Sequence, residues 1–166
     1  MTKYENNEFY NIIKPILEHP EFQKTKEIAH HGISRYDHCI RVAYYTYKVS
    51  KALKLDYKET TEAALLHDFF TDEVEKENNI LKLRRHPKHA VENAKKYFDI
   101  NEKQADIIKT HMFPITFMPP KYIEGWIVDL VDDFAAIYEK TSTVKTEMQA
   151  ATTFLFLVMI NLIKIK

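Results

Sequence analysis

Apolar residues return every three or four positions along almost the whole chain, and stretches that alternate apolar with polar are scarce. That period belongs to helices packed on one face, because strands repeat every second residue. The punctuation agrees. Ser34 with Asp37 resembles a capping box in which Asp replaces the usual Glu, and Asp56 with Glu59 repeats it. Asn101 with Gln104 opens another helix, Pro87 suits a first helical turn, and Pro114, Pro119 and Pro120 mark a loop. Helices are therefore predicted over residues 5–18, kinked or split at Pro15, and over 20–31, stopped by Gly32 as a C′ residue. Further helices follow: one from Ser34 to Leu53, one through Ala63, Leu66 and Phe70, one from Pro87 through Phe98, one from Asn101 to His111, and one over 121–139. The inward stripes are read as Phe9, Ile12, Ile13, Ile16 and Leu17 on the first helix and Val42, Tyr45, Val49 and Leu53 on the helix after Ser34. On the 121–139 helix they are Ile127, Leu130, Val131, Phe134 and Tyr138.

A length of 166 residues corresponds to one domain, and no repeat, linker or low-complexity tract divides it. The expected fold is a single compact all-α bundle over residues 1–166. Lys+Arg and Asp+Glu both total 24, which argues against a partner as acidic as a nucleic-acid polymer. The single cysteine, Cys39, excludes an internal disulfide framework and fits a reducing, cytoplasmic setting. The opening MTKYENNEFY has no apolar run behind a basic start, so no secretory signal is expected. Two glycines, Gly32 and Gly125, leave no material for a glycine-rich phosphate loop. The final helix, residues 143–166, carries an almost wholly apolar run from Thr153 to Ile163. A membrane span needs about 20 such residues, so a core helix is expected here, with a homodimer interface as the second reading.

Eight histidines are the compositional sign of chemistry. His38 precedes Val42 by four residues, and His67 follows Ala63 by four with Asp68 next to it. His86 stands before Pro87, His111 continues the stripe of Ile107 and Ile108, and Asp132 flanks an apolar face beside Val128 and Ala135. A lone inward histidine is ordinarily a hydrogen-bonded core residue. An inward carboxylate is costlier, since burying it without a partner or cation is strongly unfavourable. Several helices that each supply one imidazole or carboxylate to a common interior are how bundles build metal sites.

These residues resemble the HD-domain superfamily of metal-dependent phosphohydrolases. Ser34-Arg35-Tyr36-Asp37-His38 resembles its first ligand helix, Leu65-Leu66-His67-Asp68-Phe69 its HD signature, and His86-Pro87-Lys88-His89-Ala90 an element of its two-metal members. Ile107 to His111 is similar to the next ligand stretch, and Ile127 to Asp132 to the helix that closes the pattern. The resemblance covers roughly residues 34–139. It implies that His38, His67, Asp68 and Asp132 hold one divalent cation and that Asp68 bridges to a second held by His86 and His111. Asp129 and Asp133 remain alternatives to Asp132, and His89 to His86. His30 and His31 match nothing in the pattern.

A mixed imidazole–carboxylate set suits Fe, Mn, Co, Ni or Zn better than Ca, with Mg also admitted, as one or two ions. The chemistry implied is hydrolysis of a phosphate ester or anhydride, with a nucleotide as the substrate class, by a water held as hydroxide near neutral pH. Asp68 would take up the proton, and Arg35, three residues before His38, would meet phosphate at the mouth. Arg84 and Arg85, directly before His86, are further phosphate contacts, and Lys82, Lys88 and Lys109 weaker ones. A non-catalytic ligand-binding or regulatory domain of the same type is the alternative reading.

Overall fold

The computed structural model describes residues 7–30, 32–70 and 79–164. Among these, seven helices follow one another: α1 (Asn7–Leu17), α2 (Pro20–Gln23), α3 (Arg35–Ala52), α4 (Tyr57–Leu66), α5 (Asn79–Tyr97), α6 (Glu102–Thr110) and α7 (Ile123–Lys164). A 3₁₀ turn (Lys24–Glu27) and a two-stranded antiparallel ribbon, Ala29–His30 with Ile33–Ser34, join α2 to α3. The chain is all-α apart from this ribbon.

The caps read from the sequence hold the helix starts. Ser34 Oγ accepts from the Asp37 amide at 3.1 Å, and Asp56 caps α4 through the Glu59 amide. Asn101 and Gln104 close a reciprocal capping box. Each such cap satisfies amides that would otherwise be orphaned, at about 1 kcal/mol.

Helix α3 is central, packed along α4 on one side and against α7 on another, while α6 lies between α4, α5 and α7. The core beneath them contains Phe9, Ile13, Phe22, Val42, Leu65, Leu66, Ile107, Ile108 and Val128. Each fully buried side chain of this size contributes about 1.5–3 kcal/mol.

The structure corrects several boundaries. Pro15 lies within α1 without splitting it. Gly32 does not end a helix; it occupies the ribbon turn at φ 89°, a left-handed conformation open to glycine. α4 stops at Leu66, so Phe70 lies outside it. α5 begins at Asn79, which places Pro87 well inside the helix rather than in its first turn. The two C-terminal helices expected separately are one helix of 42 residues.

Two stripes also differ. On α3, Val42 is buried, but Tyr45, Val49 and Leu53 are exposed. The inner face carries His38, Cys39, Ala43, Thr46 and Ser50 instead. On α7, Ile127 and Val128 point inward with Asp132, Ala135 and Glu139, whereas Leu130, Phe134 and Tyr138 face out. No helix among the described residues is long and apolar enough to cross a membrane. The side chains of the Thr153–Ile163 run, expected in the core, lie outside the described residues.

Candidate metal centre

The ends of α4 and α6 are built alike. His67 and His111 are the C-cap residues of these helices. Each turns Nδ1 back onto the carbonyl three residues earlier, Ala64 and Ile108 respectively, at 2.7 Å. A carbonyl only accepts, so both Nδ1 atoms carry hydrogen, which leaves Nε2 as the ring atom each can offer to a cation. Both residues stand at the negative ends of their helices, where cations are favoured.

Around them the other helices bring in the remaining groups. His38, from the first turns of α3, places Nε2 2.9 Å from Asp132 Oδ1 of α7. His67 Nε2 is 3.4 Å from the same oxygen. Asp68 follows His67 directly, and its Oδ1 lies 3.2 Å from His86 Nε2 and 3.6 Å from His111 Nε2. The Nε2 atoms of His86 and His111 approach to 3.0 Å. Donor atoms of three overlapping sets come within 4.8 Å of one another: His38, His67 and Asp68; His67, His111 and Asp132; Asp68, His86 and His111. All six residues are buried, the most exposed being Asp132 at 8%.

A family model, HD domain, matches residues 35–137. The chain belongs to the HD domain family. No curated protein and no solved structure matched the chain.

Asp68, His67 and His111 each belong to two of the three sets in this HD domain, and of the three only Asp68 has two oxygens to offer. The alternatives left open by the sequence occupy other surroundings. His89 is part-exposed and pairs with Glu92 at 3.4 Å, away from the cluster. Asp129 is buried and accepts from the Phe113 amide at 3.1 Å, which fastens the loop after α6. Burial, with the neighbouring Asp133 carboxylate, pushes Asp129 up to about 7. Asp133 itself is exposed. His30 and His31 have no described side chain.

Arg35 departs from the expected place at the mouth. It is fully buried, with its guanidinium 3.7 Å from the centre of the Phe70 ring and Nη1 donating to the Phe70 carbonyl at 3.2 Å. From there it anchors the segment that leaves Asp68. Arg84 and Arg85 are exposed, Arg84 lying 5.1 Å from the centre of the Phe117 ring. A cavity of about 280 Å³ borders Phe69 and Phe70, but none of the six clustered residues lines it.

One residue of the centre escaped the sequence reading. Glu139, two turns beyond Asp132, is 2% exposed, and its Oε2 lies 2.9 Å from His38 Nδ1. Its other oxygen accepts from Arg41. Only its seven-residue spacing from Asp132, on the same helical face, could have pointed to it.

The electrostatics follow from this crowding. Burial works against the His38 imidazolium, yet hydrogen bonds to Asp132 and Glu139 outweigh it and hold the group up at about 10. His67 is also raised against the cost of burial, through Asp132 and Asp68. His111 goes the other way, down to about 3, by burial and by repulsion from His67 and His86. Asp132, despite its burial, is held well below the usual carboxylate range by His67 and His38.

These residues fit divalent cations. Nitrogen and oxygen donors converge in the mixture that transition ions favour. His67 Nε2 is buried without a hydrogen bond, 3.4 Å from the nearest Asp132 oxygen. Such an atom is costly unless something binds it.

Proposed function

We propose that this HD domain is a metal-dependent phosphohydrolase that cleaves a phosphate ester or anhydride of a nucleotide, using a pair of divalent transition ions. The supporting observation is the sharing of Asp68 between the set formed with His38 and His67 and the set formed with His86 and His111. Ions held there would polarise a phosphoryl oxygen and lower the pKa of water from about 15.7 towards 7.

The chain's own groups supply the rest. The Nδ1 hydrogen bonds of His67 and His111 to backbone carbonyls fix ring orientation, which raises ligand basicity and limits rotation. Asp68, which lies between His86 and His111 at 3.2 and 3.6 Å, would take up a proton from water. Arg35 acts by pinning Phe70 and thereby the backbone that follows Asp68. Phosphate contact falls instead to exposed cations beside the cluster, with Arg85, next to His86, the first candidate.

The test is phosphate release across a panel of nucleoside mono-, di- and polyphosphates, dinucleoside polyphosphates, cyclic dinucleotides and guanosine alarmones, with added Mn or Fe. Turnover of at least one class by wild type, abolished in Asp68→Ala, is expected. A folded, metal-loaded protein inert towards the whole panel would favour a ligand-binding role and overturn the reading.

A further inference from the structure

Among the described residues, helix α7 turns one face into the domain and presents a second, apolar one to solvent. The inner face, with Val128 and Ala135, packs inside. The other presents Leu130 (53% exposed), Phe134 (71%), Ile137 (63%) and Val144 (48%) to solvent. Single exposed apolar side chains need no explanation, but a contiguous stripe marks a contact surface. Glu139 is the last buried side chain described on this helix, and Lys140, Thr141, Lys145 and Thr146 beyond it are exposed. The helix nonetheless continues to Lys164, about 63 Å in all at 1.5 Å per residue.

The spacing of the stripe identifies what would cover it. Leu130, Phe134, Ile137 and Val144 stand on a 4-3 repeat that continues through the sequence to Leu155 and Leu162, and nine of its ten positions are apolar, Thr141 being the exception. A 3.5-residue repeat sustained over more than four heptads is the seam of a coiled coil and selects another helix of the same repeat. The helix at hand with that property is the same helix of a second copy, and an isologous pair matches it to itself.

Charge sets the direction. In a parallel, in-register pair Lys140 would face Lys145 of the second copy, like against like. In an antiparallel pair whose dyad falls between Thr141 and Val144, Lys140 faces Glu147 of the second copy, twice over by symmetry. Sliding that register by one heptad sets Lys140 on Lys140 or Glu147 on Glu147. The matched register lays the apolar C-terminal half of each helix over Leu130, Phe134 and Ile137 of the other. Eight register positions per chain, from 130 to 155, then pair across the dyad.

We infer that the outer face of α7 is a homodimer interface, an antiparallel helix pair centred between Thr141 and Val144. The full chain should sediment as a dimer at micromolar concentration. Lys140→Glu and Glu147→Lys should each raise the dimer dissociation constant on the order of tenfold or more, two rim pairs being reversed at once. The double exchange should return it close to wild type. Phe134→Glu, at the most exposed seam position, should give a monomer with unchanged helicity. A wild-type monomer, a double exchange no tighter than its single variants, or a chain that instead co-sediments with anionic phospholipid vesicles would each overturn the inference.

Discussion

Glu139→Gln probes the metal centre from outside its donor set. The wild-type carboxylate serves two neighbours at once, with one oxygen 2.9 Å from His38 Nδ1 and the other accepting from Arg41, and its side chain is wholly buried. Glutamine keeps the volume but has one accepting oxygen. If that oxygen meets His38, the amide NH₂ confronts the Arg41 guanidinium, donor against donor. If it turns to Arg41, His38 Nδ1 loses its acceptor. Either way the imidazole loses the negative charge that helps hold it up at about 10, and with it basicity as a ligand. Removal of such an outer partner typically weakens metal affinity 10–100-fold, about 1.4–2.8 kcal/mol. Glu139→Ala should fall at the upper end, because it removes the acceptor of both His38 Nδ1 and Arg41. The assay is competition against a chromophoric chelator, with circular dichroism to confirm folding. Excess metal should restore turnover without a change in KM for substrate, as expected of a residue that positions a ligand. Wild-type metal affinity in both folded variants would refute the reasoning.

Other consequences concern the scaffold. Gly125→Ala should cost about 1–3 kcal/mol by overpacking, read as a lower urea midpoint, because its Cβ would lie 2.7 Å from Pro120 Cβ. Glu8 is held down to about 2 by its bonds to Lys51, Tyr47 and Tyr57, which tie the start of α1 to α3 and α4. A depressed carboxylate contributes stability that is complete above its unfolded value of about 4.5 and is lost as pH falls towards 2. Glu8→Gln should therefore flatten the fall in stability over that window and leave the slope above pH 5 unchanged, as denaturant titrations at several pH values would show.

The sequence made the frame and most of the centre legible for one physical reason. Helix caps and cluster histidines are local: Ser34, Asn101 and Gln104 act on amides three residues away, and His67 and His111 stand where their helices end. The misreadings share a cause as well. A stripe rule assumes that the interior is apolar, whereas here the interior surrounds imidazoles and carboxylates. On α3 it chose Tyr45, Val49 and Leu53 over the face with His38, Thr46 and Ser50. On α7 it took Leu130, Phe134 and Tyr138 as core because the truly inner positions are partly acidic. Helical spacing puts Arg35 at the mouth of the site, because nothing in its local string reveals that Phe70, 35 residues away, covers it. Glu139 was missed because its partner His38 is 101 residues distant.

Metal content per chain, measured on protein purified without chelator and then reconstituted with Mn or Fe, bears most directly on the shared role of Asp68. Wild type should bind two ions, separated in an anomalous-scattering map by about 3.5–4 Å, and Asp68→Ala should lose at least one of them. A wild-type chain that binds none, or an Asp68→Ala chain that keeps the full complement, would contradict the account.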